Sequence, residues 1–264
     1  MPATSHRTTS SAWTRWLQRP RSTAFRKAVF QLHLWSGIAL GLYIFFISVT
    51  GSVLVYRNEL YVWATPASNG GTVPWGFHAV STLIELHKNL LAGQTGLVIN
   101  GVAAAAMIFV LLTGLVLWWP GITQWKQALV LHRGVPWQRF VWDLHRVMGF
   151  WSFAAMFVFA FSGLYLCFGS AFHAFADWLQ PPAANDDGSR LVDTLLYWLA
   201  FLHFGRINGI GLFCAGPGFC DQAVKATWAL FGLAPALMFA TGALVWWNRV
   251  LRPLWHGQRR KHRR

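Results

Sequence analysis

Two histidines of this sequence lie in apolar segments that are long enough to cross a membrane. His33 lies in the segment from Phe30 to Gly51, and His145 opens a second segment of the same kind. An ionisable side chain inside a membrane span is costly, so it is by default a functional hypothesis. Neutral imidazole is a common ligand of transition metals and of haem iron. The two residues therefore predict a haem site with His33 and His145 as the axial ligands of the iron.

Two more histidines complete the apolar stripes of shorter amphipathic segments. His87 continues a helical stripe that begins at Val80, and His203 ends one that begins at Val192. Each of these segments precedes a span that runs back across the membrane. The pair His87 and His203 therefore predicts a second bis-imidazole site near the outer membrane face. Two other outer histidines could replace or supplement this pair: His78 and His173.

An internal repeat relates the two halves of the chain. Four residues recur 112 positions further on: His33, Gly37, Thr50 and Gly51 match His145, Gly149, Ser162 and Gly163. The second and fourth spans also end alike, with TG followed by apolar residues and WW. Parallel repeats pack about an axis along the membrane normal, which brings equivalent positions face to face. The repeat thus predicts that each histidine meets its counterpart.

Neighbouring residues suit a haem bound without a covalent link. Gly37 and Gly149 follow their histidines by four residues, so they lie on the same helix face and carry no side chain that would collide with a macrocycle. Arg146 and Arg206 lie beside ligand candidates, where a guanidinium could pair with haem propionates. The sequence contains no C-x-x-C-H motif. We therefore expect two non-covalent haems of the b type.

Composition places the chain among all-α membrane proteins. Apolar residues make up 55% of the 264 residues and charged residues only 11%. Four apolar runs reach the ~20 residues that a spanning helix needs: Ala28 to Tyr56, Gly96 to Trp119, Val147 to Phe168 and Ala226 to Trp247. We expect a basic tail (1–27), a first repeat of two spans (28–121), a cytoplasmic linker (122–140), a second repeat (141–250) and a second basic tail (251–264), with short amphipathic helices on the periplasmic side.

The distribution of charge predicts the orientation of the four spans. Most of the 22 lysine and arginine residues lie in the two tails and the linker, and every acidic residue but Asp143 lies on the other side. The positive-inside rule then places both termini of this multi-pass membrane protein in the cytoplasm. Orientation and attraction to anionic membrane lipid explain the net charge of +14 better than nucleic-acid binding does.

Three cysteines are present. Cys214 and Cys220 lie in a Gly/Pro-rich loop on the expected outer side, where an oxidising compartment would permit a disulfide. Their C-x5-C spacing is unusual for a zinc site, and no histidine lies between them. Cys167 is expected to be a packing residue.

Two haem sites at opposite ends of a ~30 Å hydrocarbon core would leave haem edges about 10 to 15 Å apart, within the range of electron tunnelling. An interhelical hydrogen bond is the other common role of an intramembrane histidine. Two further functions therefore stay open. One is a haem-free transport or accessory subunit whose histidines bind a metal ion or move protons, and the other is a purely structural partner of an iron-uptake complex.

Several motifs together resemble one protein family: LHLWSGI and TGSVLVY, ELHKNLLAG and TGLVLWWPG, DLHRVMGFW and SGLY, LHFG and TGALVWW. They are similar to the PepSY-associated transmembrane family of bacterial inner-membrane proteins, over roughly Phe25 to Val250. The resemblance implies a di-haem fold and an oxidoreductase of the kind that reduces ferric siderophores in the periplasm. The family's histidine positions correspond here to His33, His87, His145 and His203.

The chain departs from the larger family members in one respect. Those members carry an extended PepSY region between the first two spans, where this sequence has only the segment from Arg57 to Gly96. The chain also lacks a Gly-rich dinucleotide-binding motif. We therefore expect the electrons to come from quinol or a partner flavoprotein. The acceptor that the resemblance implies is a ferric chelate.

Overall fold

Four long apolar helices form the body of the protein. The computed structural model describes residues 12–18, 20, 23–64, 75–181, 190–207 and 209–255. Among them, four helices are long and apolar enough to cross a membrane: α2 (Ala24–Leu54), α5 (Gly93–Trp118), α7 (Trp137–Cys167) and α10 (Phe219–Trp246). All four predicted spans are therefore confirmed, with α2 and α7 beginning several residues earlier than the apolar runs do.

Shorter elements connect these helices. They are α1 (Ala12–Gln18), α3 (Arg57–Ala64), α4 (Trp75–Asn89), α6 (Trp125–Ala128), α8 (Gly169–Leu179), α9 (Leu191–Phe204) and a π-helical segment that continues α10 (Trp247–Leu251). Two antiparallel two-residue strands, β1 (Arg206–Ile207) and β2 (Ile210–Gly211), follow α9. The predicted amphipathic segments are thus helices α4 and α9, and the all-α class is confirmed.

The four long helices pack in a closed ring. Helix α2 contacts α5 and α10, and α7 contacts the same two helices from the other side. Leu111, Met156, Ala160 and Ala234 form the buried core of the ring. Apolar side chains such as Leu42 and Val102 point outward and are more than half exposed, as lipid-facing residues of membrane helices are. The molecule is therefore a multi-pass membrane protein whose outer surface contacts lipid.

The ring has two ends, which we call the terminal face and the loop face. At the terminal face α2 and α7 begin while α5 and α10 end: the Arg26 guanidinium donates to the carbonyls of Leu117 and Trp119, and that of Arg249 lies 4.3 Å from the Trp142 ring centroid. At the loop face α4 packs against α2 and α5, and α9 packs against α7.

A proline kink in α10 fixes its packing against α2. Pro235 lies inside the helix, where it removes one backbone hydrogen bond and displaces the preceding turn. The hydroxyl of Ser48 in α2 donates to the Gly232 carbonyl and accepts from the Ala236 amide, 3.2 Å away. One side chain of α2 therefore bonds to both the carbonyl and the amide of one turn of α10 beside Pro235, which links the two helices.

The N-terminal segment contacts the bundle. Residues 12–18 form helix α1, in which the Trp13 and Trp16 rings stack. Trp16 stacks in turn on Trp119 at the end of α5. The Ile122 amide donates to the Leu17 carbonyl over 3.1 Å. Residues 1–11 and 256–264 of the two expected tails lie outside the described residues.

Candidate functional site

The four histidines meet as two pairs. The ring centroids of His33 in α2 and His145 in α7 are 6.5 Å apart. Those of His87 in α4 and His203 in α9 are 6.4 Å apart. The structure therefore brings each histidine next to its counterpart in the other half of the chain.

The pairs lie at opposite ends of the bundle. His33 lies near the start of α2, whereas His87 contacts Thr50 near the end of the same helix. The 17 residues between His33 and Thr50 correspond to about 26 Å of helix. One pair is therefore close to each end of a ~30 Å hydrocarbon core.

The spacing within each pair suits one metal ion between two imidazoles. An imidazole nitrogen lies about 2 Å from a first-row metal ion, and the nitrogen is about 1 Å from its own ring centroid, so a shared ion places the two centroids about 6 Å apart. The observed distances of 6.5 and 6.4 Å agree with that value.

A serine or threonine hydroxyl contacts Nδ1 of each histidine. The Nδ1–Oγ distances are 3.0 Å for His33 and Thr113, 3.1 Å for His87 and Thr50, 2.8 Å for His145 and Thr241, and 2.8 Å for His203 and Ser162. No hydrogen bond joins Nε2 of any of the four to another residue of the described part of the chain. The hydroxyls thus occupy one ring nitrogen and leave the other for a ligand.

A glycine follows each of these hydroxyl residues and lies against the same imidazole. A Cβ atom on Gly51 would lie 2.8 Å from Cε1 of His87, and one on Gly242 would lie 3.2 Å from Cε1 of His145. The corresponding distances for Gly114 with His33 and for Gly163 with His203 are 3.1 and 3.7 Å. The absence of a side chain lets each imidazole lie directly on the backbone of a neighbouring helix.

In the sequence these TG and SG dipeptides mark the repeat, but their contacts with the histidines were not predicted. Each contact is made within one half of the chain: α5 holds the His33 of α2, and α2 holds the His87 of α4. The second half does the same through α10 and α7. Four such dipeptides for four histidines were a signal in the sequence, but their assignment to particular rings required the helix packing.

A cavity of about 830 Å³ surrounds the first pair. His33 and His145 line it together with Gly37 and Gly149. A Cβ atom on Gly37 would contact no atom within 4 Å, whereas one on Gly149 would lie 3.0 Å from Cε of Met238. The volume is in the range of cofactor pockets, about 300 to 1,000 Å³. Gly37 therefore borders open space beside the imidazoles, whereas the Met238 side chain lies against Gly149.

Basic side chains line the same cavity: Arg26, Lys27, Arg139, Arg146 and Arg249. They come from the terminal face, and the rest of the lining is mostly apolar. A ligand with an apolar body and anionic groups at one edge matches this distribution of charge.

The predicted Arg146 forms part of an ionic cluster around Asp143, which is fully buried. Arg146 lies 3.2 Å and Arg139 lies 3.1 Å from the Asp143 carboxylate. His132, in the link between α5 and α7, places Nδ1 3.3 Å from the same carboxylate, and its side chain is 42% exposed. The cluster ties the link between α5 and α7 to the start of α7, two residues before His145.

The predicted Arg206 contacts Asp221 at the loop face, 3.1 Å away. Asp221 also accepts from Lys225 over 2.8 Å, and Lys225 donates to Glu59. Lys225 is only 2% exposed, so this network of two cations and two anions neutralises a buried ammonium group. The structure therefore places Arg206 three residues after His203 but gives it a protein carboxylate as its partner.

Side chains from the following spans anchor the backbone beside His87 and His203. Asn100 in α5 donates to the carbonyls of His87 and Lys88 over 2.8 and 2.7 Å. Trp228 in α10 donates to the Leu202 carbonyl over 2.8 Å. The three bonds satisfy carbonyl groups in the last turns of two short helices, where such groups have no partner inside the helix. Burial lowers the pKa of His87 and of His203, so both imidazoles are neutral near pH 7.

The two other outer histidines, His78 and His173, do not form part of the second pair. His78 and His173 are exposed; the His173 ring contacts Tyr165, and that of His78 contacts Phe77. In the described part of the chain, no group of three or more His, Cys, Asp or Glu side chains could hold a metal ion. Each pair thus offers two protein donors, which fits a metal whose remaining ligands come from a macrocycle.

Comparison with known proteins assigns the chain to a family. The profile of the PepSY-associated TM region matches residues 30–75 and 68–189. These matches cover more than half of the chain and include His33, His87 and His145. No curated protein matches the sequence. The chain therefore belongs to the PepSY-associated transmembrane family.

Proposed function

We propose that the protein carries electrons across the bacterial inner membrane through two non-covalent b-type haems and delivers them to a ferric chelate, such as a ferric siderophore, in the periplasm. His33 and His145 would hold one haem, and His87 and His203 the other. The observation that carries the proposal is the pairing of the four imidazoles at 6.5 and 6.4 Å, one pair at each end of the bundle.

The donor set favours haem over a bare metal ion. Two imidazoles are too few ligands for a typical protein site of a bare transition metal, which uses three or four protein donors. Haem supplies four equatorial nitrogens and needs only two axial ligands, and its iron then exchanges one electron without binding oxygen. The apolar cavity with glycines beside the imidazoles and basic residues at the terminal face suits a porphyrin with two propionates.

Two independent features support the orientation. The terminal face carries the basic linker and basic residues of the described ends of the two tails, which the positive-inside rule assigns to the cytoplasm. The loop face carries the disulfide between Cys214 and Cys220, and disulfides persist in oxidising compartments such as the periplasm. The first histidine pair would then receive electrons from quinol or a flavoprotein on the cytoplasmic side, and the second pair would face the acceptor.

The residues around the second pair also suit electron delivery. The buried network of Arg206, Asp221, Lys225 and Glu59 fixes the end of α9 against α10 and α3, so the imidazole of His203 is held in place. Arg57 lies 5.3 Å from the ring centroid of Phe204, the residue that follows His203.

An absorption spectrum of the detergent-purified protein, before and after dithionite, tests the proposal. We expect two haems per chain and a low-spin spectrum on reduction. His145→Ala should remove one haem and abolish electron transfer from an internal reductant to an external ferric chelate in proteoliposomes. His78→Ala, which alters an exposed histidine, should retain both haems and full transfer.

Two results would contradict the proposal. A His145→Ala protein with two haems and full transfer would remove these residues from the site. A wild-type protein that binds no haem in cells supplied with haem would instead favour the transport or accessory function.

A further inference from the structure

We propose that Thr50, Thr113, Ser162 and Thr241 are positioning residues. They fix the tautomer of the four histidines and tune the reduction potential of the haems that these histidines would hold. The inference rests on the proposed function, since it concerns the same two sites. It assigns a role to side chains that carry no metal-binding group of their own.

The direction of the hydrogen bonds follows from the backbone carbonyls beside the hydroxyl groups. The Thr113 hydroxyl lies 2.8 Å from the Val110 carbonyl and 3.0 Å from that of Phe109. The Ser162 hydroxyl lies 2.6 Å from the Val158 carbonyl. The Val110 carbonyl also lies 3.1 Å from Nδ1 of His33. A carbonyl can only accept, so this nitrogen must carry the proton. The Thr113 hydroxyl, which donates to its own helix, is then a second acceptor for the Nδ1 proton.

The same arrangement holds at the other two positions. The Thr50 hydroxyl lies 2.9 Å from the Phe46 carbonyl, and the Thr241 hydroxyl lies 2.9 Å from the Leu237 carbonyl. All four histidines therefore carry their proton on Nδ1. Nε2 keeps its lone pair, which is the form that can coordinate a metal.

The hydrogen-bonded chain also has an electronic effect. A hydroxyl that donates to a carbonyl becomes a better acceptor, because hydrogen bonds in a chain polarise one another. A stronger bond from Nδ1–H makes the imidazole a more basic ligand. A more basic ligand stabilises the ferric over the ferrous state and lowers the reduction potential.

All four hydroxyl residues are at most 9% exposed. Back-bonding of serine and threonine to their own helix is common in membrane helices and by itself means little. Here every one of the four also contacts a histidine that is paired with another histidine. Water cannot readily replace a lost hydroxyl at such buried positions. Removal of the hydroxyl should therefore leave Nδ1 of the imidazole without this acceptor.

Thr241→Val and Thr241→Ser test the inference on the purified full-length protein. Valine keeps the shape and loses the acceptor, and serine keeps the acceptor. We expect Thr241→Val to raise the midpoint potential of one haem and to weaken its retention about 10-fold or more, with the other haem unchanged. Thr241→Ser should restore the wild-type potential.

Thr227→Val is the matched control. Thr227 lies on the same helix, its hydroxyl bonds to the Ala223 carbonyl over 2.8 Å, and it contacts no histidine. This variant should have two wild-type potentials. Equal potentials in wild type, Thr241→Val and Thr241→Ser would overturn the inference while leaving the two haems in place.

The tautomer of His145 can also be measured in protein without haem. Nitrogen-15 NMR of labelled histidine in haem-depleted protein should show His145 protonated on Nδ1 in the wild type, and a mixture of tautomers in Thr241→Val. A wild-type His145 protonated on Nε2 would refute the inference. A protein with the expected tautomer that never binds haem would refute the proposed function alone.

Discussion

At the scale of single residues, the candidate site consists of an imidazole, a hydroxyl and a glycine. The hydroxyl orients the ring through Nδ1, and the glycine allows the ring to lie against the helix. Gly37 and Gly149 have a different role, because they border the cavity and do not support a ring. The distinction between a supporting glycine and a cavity glycine can be tested by the addition of one methyl group.

Gly37→Ala should lower haem content without lowering the stability of the protein. The added Cβ contacts no atom within 4 Å, and alanine is a better helix former than glycine by about 1 kcal/mol. The methyl group would, however, enter the space beside His33 that we assign to a porphyrin. Haem per chain and the thermal unfolding of the haem-depleted protein give the two readouts.

Gly169→Ala provides the control, since its Cβ also meets no atom within 4 Å but Gly169 does not line the cavity. It should keep two haems. Full haem content in Gly37→Ala would show that this glycine does not border the cofactor.

At the scale of elements, each half of the chain holds its own two imidazoles, and the sites form between the halves. Helices α2 and α5 orient one histidine of the first pair, and α7 and α10 orient the other. The relative position of the halves therefore determines the distance within each pair. The contact between α2 and α10, centred on Ser48 and the kink at Pro235, joins the two halves.

Ser48→Ala should destabilise this junction. It removes the hydroxyl that bonds to the Ala236 amide and the Gly232 carbonyl, and each lost hydrogen bond costs about 0.5 to 1.5 kcal/mol. We expect a lower midpoint of thermal unfolding in detergent and weaker haem retention at both sites.

Ser36→Ala removes a hydroxyl of the same helix that bonds only to carbonyls of its own helix, over 2.6 Å to Leu32. It should change the unfolding midpoint little. Equal effects of the two substitutions would show that Ser48 does not hold the halves together.

At the scale of the whole molecule, one end of the bundle is basic and the other contains the disulfide. In our proposal, the histidine pair at the basic end accepts electrons on the cytoplasmic side, and the pair at the disulfide end delivers them on the periplasmic side. The disulfide between Cys214 and Cys220 and the ionic network around Asp221 close the loop face beside His203.

Accessibility labelling tests this orientation. In a Cys167→Ser background, Trp63→Cys at the loop face and Trp125→Cys at the terminal face replace exposed residues, 75% and 42% exposed respectively. An impermeant maleimide should label position 63 in intact spheroplasts and position 125 only after lysis. The reverse pattern would invert the proposed direction of electron transfer.

The sequence by itself determined the four spans and the identity of the paired histidines. Spanning helices are read directly from apolar length, because a backbone in lipid must satisfy its own hydrogen bonds. The repeat offset shared by His33 and His145 predicted their meeting, since equivalent positions of parallel repeats face each other. The first inference depends on local composition and the second on the internal repeat, and both properties can be seen in the sequence.

Only the tertiary structure decided which groups surround each histidine. Thr113 lies 80 residues from His33 in the sequence. The periodicity of one helix does not predict which side chain of another helix will contact this histidine. The partner of Arg206 is likewise Asp221, although its position beside His203 suggested a propionate. Such contacts depend on how each helix is rotated and bent against its neighbours, as at Pro235 and Ser48. The rotation and bending are determined by the packing of many side chains along the entire helix–helix interface.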